Sequence, residues 1–130
     1  MRWSALALGA VVACAIACSD SPTAPGGAQF RVRDVHAALF RVRISDDRVA
    51  REARELQRSG AERWVTGVPA RGDGGFNRPW SWHLDPATIE FAEVTAEACQ
   101  TTAGAIGDDL DYWLRFGRVC IGSRIEAEED

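Results

Sequence analysis

Apolar and charged residues alternate in two segments of the chain, residues 30–33 and 39–44. A period of two places successive side chains on opposite faces, so each segment is predicted to be a half-buried strand. The predicted inward-facing residues are Phe30, Val32, Phe40, Val42 and Ile44. Residues 34–38 connect the two segments, which favours a β-hairpin.

The pattern then changes to a helical period over residues 47–59. Val49, Ala53 and Leu56 stand at i, i+4 and i+7, on one face of a helix. Asp46 and its neighbours supply side-chain oxygens for an N-cap, and Gly60 is typical of a C-cap.

Three further runs, residues 64–68, 80–84 and 88–98, are predicted to be strands. Asp85-Pro86 is typical of a type I turn, so the second and third runs are expected to pair as a hairpin. The apolar face switches along the third run, which predicts a β-bulge near residue 91 or 92.

Apolar residues at helical spacing predict a second helix over residues 103–116. A last strand is predicted over residues 119–125, and the acidic residues 126–130 are expected to fray. Together the elements predict one small α+β domain over residues 29–127, mostly antiparallel sheet with two helices.

Residues 1–17 have the features of a signal peptide, because Arg2 is followed by a run in which Ser4 is the only clearly polar residue. The run is too short to cross a bilayer, which takes about 20 apolar residues. Residues 18–28 are rich in Ser, Pro, Thr, Ala and Gly, which is typical of a flexible tether.

The segment Ala15-Ile16-Ala17-Cys18 resembles the bacterial lipobox, whose cysteine is lipidated and becomes the mature N-terminus. We therefore predict lipidation at Cys18, with export to the cell envelope and attachment to a membrane through the lipid. Two alternatives stay open: Cys14 also fits a lipobox loosely, and cleavage near Ala17 would release a secreted protein. Cys18 is favoured because it leads straight into the polar tether.

Cys99 and Cys120 form an even pair in an oxidising compartment, so a disulfide is expected. Closing this loop of about 20 residues would stabilise the fold by about 3 kcal/mol. Removing residues 1–17 takes one Arg from the 15 basic residues, which leaves 14 against 19 acidic residues and a net charge of −5. This charge argues against nucleic acid as a partner.

The segment GGFNRPWSWHLDP, residues 74–86, concentrates the side chains that suggest a site. Trp82 is expected in the core, because aromatic residues dominate burial in small domains. The binding candidates are Asn77, Arg78, Trp80 and His83. The preceding Arg71-Gly72-Asp73 tripeptide is better explained as a turn than as an adhesion motif.

Enzyme motifs are absent from the sequence. Neither GxSxG nor HExxH occurs, and His36 and His83 are the only histidines. The sequence therefore predicts no catalytic residues, no metal site and no cofactor.

The run Asn77-Arg78-Pro79-Trp80-Ser81-Trp82-His83-Leu84-Asp85-Pro86 resembles a small secreted domain widespread in bacteria. That domain is named after the N-terminal part of a calmodulin-binding protein, and the likeness extends more faintly over residues 30–125. Gln100-Thr101 and Ile121-Gly122 depart from its usual Asp-Gly and Pro-Trp. The resemblance implies an α+β domain with two paired cysteines, and calmodulin binding is not carried over because no basic amphipathic helix is evident.

The features above favour a lipid-anchored extracytoplasmic binding or adhesion module without catalytic activity. Residues 71–80 are its expected contact surface, and its partner would be an extracytoplasmic protein or glycan. The alternative is an exported protease inhibitor in which the same loop would enter an active-site cleft. A purely structural role in the envelope stays open as well.

Overall fold

The structure, a computed structural model, describes residues 27–130. The predicted signal peptide, the lipidation at Cys18 and most of the predicted tether lie outside the described residues. The strands are β1 (Ala28–Asp34), β2 (Leu39–Ile44), β3 (Glu62–Gly67), β4 (Pro69–Arg71), β5 (Trp82–Leu84), β6 (Glu90–Ala92), β7 (Gln100–Thr101) and β8 (Val119–Glu129). The helices are α1 (Asp47–Ser59), α2 (Ala103–Asp108) and α3 (Leu110–Phe116), with 3-10 turns at Pro86–Thr88 and Glu97–Cys99.

Six strands form one sheet in the order β2-β1-β8-β3-β6, with the short β7 parallel to β8. All other pairings in this sheet are antiparallel, which confirms the predicted α+β class. β8 lies at the centre, because it pairs with β1 on one side and with β3 on the other. The small second sheet is the hairpin of β4 and β5.

The first hairpin is confirmed, and all five of its predicted inward-facing residues are buried. Its turn is held by Asp34, which is also buried. Asp34 Oδ1 accepts hydrogen bonds from the amides of His36 and Ala38, each at 2.9 Å. Asp34 Oδ2 accepts a hydrogen bond from the Ala103 amide at 2.9 Å, so one carboxylate joins the hairpin to the start of α2.

Helix α1 begins and ends as predicted. The Asp46 side chain accepts hydrogen bonds from the amides of Arg48 and Val49, and Gly60 ends the helix in the left-handed region at φ 70°. Such a conformation carries little steric cost for glycine, which has no Cβ. Val49, Ala53 and Leu56 are buried, and α1 packs against β8 and β2.

The predicted hairpin between residues 80–84 and 88–98 is wrong. β5 pairs with β4 instead, and Pro86–Thr88 forms a 3-10 turn whose Ala87 amide donates to Asp85 Oδ1. The third run is a strand only over β6, which pairs with β3. The predicted bulge is not at residue 91 or 92; the register shift lies in β1 against β8, between Arg31 and Val32.

The path of the chain explains why the third run cannot stay extended. Ala92 of β6 pairs with Trp64, which in turn pairs with Gly122 of β8. Gln100 of β7 pairs with Cys120, two residues earlier in β8, and β7 is parallel to β8. The chain must therefore fold back between β6 and β7. The predicted disulfide between Cys99 and Cys120 is present and holds this return against β8, with a Cα–Cα distance of 5.2 Å.

Two further predictions at the C-terminal side are corrected. The helix predicted over residues 103–116 is interrupted at Asp109, whose φ of −141° and ψ of 60° are not helical. Residues 126–129 are not frayed, because β8 continues to Glu129 along β1. Their glutamates reach arginines of three other elements: Glu126 contacts Arg31 and Arg33, Glu128 contacts Arg54, and Glu129 contacts Arg31 and Arg41.

These ion pairs predict a pH dependence of stability. Hydrogen bonds from Arg33 and Arg41 lower the pKa values of Glu126 and Glu129, respectively. A carboxyl group with a lowered folded pKa stabilises the fold above its unfolded pKa, and this contribution is lost as the pH falls through the folded pKa. We expect the free energy of unfolding to fall on acidification, and to fall less in a Glu126→Gln/Glu129→Gln variant.

Denaturant melts at about pH 7 and about pH 3 would measure both losses. Glu52→Gln is the matched control, because this exposed glutamate of α1 lies on the solvent side of the helix. An equal acid loss in the double variant and the unmodified chain would contradict the prediction.

Candidate functional site

The predicted binding segment covers the open edge of β2. The Arg41 amide donates a 2.7 Å hydrogen bond to Asn77 Oδ1, and Trp80 Nε1 donates a 2.8 Å hydrogen bond to the Leu39 carbonyl. Asn77 Nδ2 in turn donates to the Trp82 carbonyl of β5 at 2.8 Å. Two residues of the family-like motif therefore satisfy backbone groups that an edge strand leaves unpaired.

The two tryptophans of the segment differ in depth. Trp82 is fully buried, as predicted, with its ring centroid 5.7 Å from that of Phe40. The Trp80 ring lies 5.8 Å from Trp82 and is partly buried against the core. Trp80 is not in a strand, because β5 begins only at Trp82.

His83 is held by neighbours within the same loop. Its Nδ1 lies 2.8 Å from the Gly72 carbonyl oxygen, and its ring meets Phe76 edge-on with centroids 5.5 Å apart. Gly74 has φ +66°, and a Cβ there would come within 2.7 Å of the His83 ring. The glycine is therefore required both by the backbone conformation and by the close approach of the imidazole.

The Arg71-Gly72-Asp73 tripeptide is part of a turn in which both charged residues have partners. Arg71 forms an ion pair with Asp111 of α3. Asp73 Oδ1 accepts a hydrogen bond from the Gly75 amide at 2.7 Å, and this bond is the main cause that lowers the Asp73 pKa. Arg78 lies 3.3 Å from Asp73 and is the most exposed of the binding candidates, with 87% of its side chain accessible.

The four binding candidates thus occupy different environments. Asn77 is fully buried with both polar side-chain atoms bonded, so it offers no free polar atom to a partner. Trp80 and His83 are partly exposed and hydrogen-bonded to backbone carbonyls. Arg78 alone projects into solvent.

A groove of about 420 Å³ lies elsewhere, on the face of the large sheet made by β1, β8 and β3. It is lined by Arg33, Asp34, Val35, Ala37, Glu62, Arg63, Trp64, Gly122, Ser123 and Arg124. The six-membered ring of Trp64 lies over Gly122 on the neighbouring strand, where a Cβ would be 3.2 Å from Trp64 Cζ3. The missing side chain of Gly122 therefore makes room for the tryptophan ring.

The groove has an apolar floor and a charged rim. Trp64 is half-buried, and Val35 beside it is 70% exposed. On the rim, Arg124 lies 3.3 Å from Glu62, and Arg33 is paired with Glu126. Asp34 is already occupied by three backbone amides, so it adds no available acceptor.

Sequence reasoning missed this groove, because its parts are distant in the chain. Trp64 and Gly122 meet only through the pairing of β3 with β8. The one available signal was Trp64 in the strand predicted over residues 64–68, and a single strand does not show which strand lies beside it.

Two classes of feature are not found in the part of the chain that the structure describes. Within residues 27–130, His, Cys, Asp and Glu form no group of three or more that could hold a metal ion. The helices of the same residues include none that is long and apolar enough to cross a membrane.

The hydrogen bonds of Asn77 to the Arg41 amide and the Trp82 carbonyl predict that truncating Asn77 destabilises the fold much more than truncating Arg78. Asn77→Ala would leave the Arg41 amide and the Trp82 carbonyl without their partner, which we expect to lower the free energy of unfolding by about 2 to 4 kcal/mol. Arg78→Ala should change it by no more than about 0.5 kcal/mol, as for a surface residue. Denaturant melts of both variants measure the difference, and equal losses would contradict the role of Asn77.

Comparison with known proteins identifies the family of the chain. A model of the BP-74 N-terminal domain matches residues 27–126, which includes nearly all of the strands and helices described above. Searches of curated proteins and of solved structures found no match. The match spans nearly the whole described domain, and the chain therefore belongs to the BP-74 N-terminal domain family.

Proposed function

We propose that the chain is an exported, lipid-anchored binding module without catalytic activity, and that the Trp64 groove is its contact surface. The groove carries this proposal, because it joins a partly exposed aromatic ring to several charged side chains in one concave site. Pockets of roughly 300 to 1,000 Å³ with a few convergent polar groups are typical of ligand sites. The segment 71–80 is a weaker candidate, because most of its side chains hold the β2 edge and their own loop.

The direction of β1 supports an outward-facing groove. Gly27 lies next to Ile44 at one end of β1, whereas the groove residues Arg33 and Asp34 lie at the other end. A strand of seven residues spans about 20 Å. An anchor at Cys18 would enter the domain at Gly27, so the groove would lie at the end of β1 away from that entry point.

Arg78 supports the alternative, a protease inhibitor. Its exposed side chain stands between Asn77 and Trp80, both of which are fixed to β2. A rigid loop that presents one exposed side chain suits insertion into an active-site cleft. Inhibition of one member of a protease panel, and its loss in Arg78→Ala, would favour this alternative over the groove.

Binding through the groove predicts a loss of retention when Trp64 is truncated. We expect the full-length chain to be retained on an envelope polysaccharide or protein fraction, and Trp64→Ala to weaken this retention about tenfold or more. Tyr112→Ala is the matched control, because Tyr112 is an exposed aromatic residue of α3 outside the groove. A thermal melt shows whether each variant is folded, and equal retention of both variants would contradict the groove as contact surface.

Lipidation at Cys18 predicts a difference between the two candidate cysteines. Cys18→Ala should abolish the incorporation of a labelled fatty acid, whereas Cys14→Ala should leave it intact, because the polar tether begins directly after Cys18. Gel fluorography of labelled cells measures both. Labelling that survives Cys18→Ala would rule out the assignment.

A further inference from the structure

We propose that helix α3 rests on the membrane surface to which the lipid at Cys18 attaches the chain, with Tyr112 and Phe116 in contact with the lipid. This inference rests on the proposed lipid anchor and adds a second contact of the domain, separate from the Trp64 groove. Three observations support it: the exposure of the helix, the grouping of its aromatic rings and the length of chain between Cys18 and the domain.

Helix α3 is apolar, but the rest of the domain does not cover it. None of its seven residues is buried, although five of them are large and apolar: Leu110, Tyr112, Trp113, Leu114 and Phe116. Tyr112 is 44% exposed and Phe116 is 40% exposed. Exposed apolar residues that lie together in this way mark contacts with a partner or a membrane, whereas singly scattered ones do not.

The rings of α3 form one cluster. The Phe116 ring stacks on the Tyr112 ring with centroids 6.2 Å apart, and it meets the Trp113 ring at 5.7 Å. Trp113 packs against the core, so it holds the two exposed rings in place. Tyrosine and tryptophan suit a lipid surface, because their rings combine an apolar body with a polar tip.

The anchor would keep this cluster close to a bilayer. Residues 18–26 lie between the lipid and Gly27. An extended chain reaches about 3.3 to 3.6 Å per residue, so this segment spans about 30 Å at most. The bilayer is therefore the one extended surface from which an anchored domain cannot move away, which selects it as the occupant of an exposed apolar helix.

Direct contacts lead from the entry point of the tether to the C-terminal end of α3. Gly27 lies against Ser45, whose amide donates a 3.1 Å hydrogen bond to the Pro86 carbonyl. In the same 3-10 turn, the Thr88 carbonyl accepts a 2.7 Å hydrogen bond from Arg118, which stands just after α3. These short steps together span about 30 Å at most. The end of α3 is therefore within reach of the surface that holds the anchor.

The charges along α3 favour its C-terminal end as the contact. Asp108, Asp109 and Asp111 are exposed at the N-terminal end. Arg115 is exposed next to Phe116, and within residues 27–130 it forms no ion pair. Lipid headgroups carry phosphate, so a guanidinium group beside an apolar ring is complementary to them, whereas the aspartates are not.

The test measures contact with lipid through tryptophan fluorescence. The lipidated chain is isolated from cells and placed in vesicles of phosphatidylethanolamine and phosphatidylglycerol, with or without bromine on the acyl chains near the headgroup. Bromine quenches tryptophan emission only at short range. We expect the brominated vesicles to quench the chain, and Trp113→Phe to remove most of that quenching.

Two variants test the exposed rings. Phe116→Ser and Tyr112→Ser should each lower the quenched fraction about threefold or more, because interfacial binding scales with the apolar area that is buried. Val94→Ser is the matched control, because Val94 is an apolar residue that is 84% exposed outside α3, and it should leave the quenching unchanged. A thermal melt shows whether each variant is folded.

A lipidated chain that is not quenched, or that is quenched equally after Phe116→Ser and Tyr112→Ser, would overturn this inference and leave the groove proposal intact. Retention on an envelope protein fraction that is lost in Phe116→Ser, without any quenching, would also overturn it by showing that α3 contacts a protein. If the mass of the isolated chain shows no lipid at Cys18, the anchor of the proposed function and this inference are overturned together.

Discussion

The hydrogen bond from the Arg41 amide to Asn77 joins the two sheets of this domain. Asn77 is fully buried, and its second bond, to the Trp82 carbonyl, fixes the strand that carries Trp82 and Leu84 into the core. An amide side chain can do this because it carries a donor and an acceptor on one short stem. Together with the hydrogen bond from Trp80 Nε1 to the Leu39 carbonyl, these bonds hold segment 72–84 and the tryptophan layer over Phe40 against β2.

The segment that stabilises the fold and the candidate binding site lie in two different parts of the molecule. The segment richest in aromatic and charged residues mostly secures the β2 edge, whereas the groove is built from the outer face of the three interior strands. Strands with paired neighbours on both sides hold their side chains in fixed positions, so Trp64 and the rim arginines stand on a rigid base. This division is consistent with a domain whose motif specifies the fold and whose sheet face carries the proposed binding.

The local patterns in the sequence were sufficient for the parts of the fold that depend on nearby residues. The hairpin of Phe30 and Phe40, the helix between Asp46 and Gly60 and the burial of Trp82 all follow from short-range periodicity or capping. Local patterns could not predict which strands pair with each other. Asp85-Pro86 does form a turn, but the strands on either side of it do not pair with each other. In the folded domain β5 pairs with β4, and β6 pairs with β3. The ordered end at Glu126–Glu129 was missed because its partners in β1 are about 100 residues away in the chain.

The central position of β8 has a consequence for how the domain is made. Within residues 27–130, the sheet joins β1 to β3 only through β8, and the contact of Gln29 with Glu129 joins residues separated by 100 positions. During synthesis the earlier strands therefore have no complete sheet to join until β8 has been produced. Such long-range pairing slows folding. Until β8 is made, the edges of β1 and β3 that it covers stay unpaired, and unpaired strand edges favour aggregation.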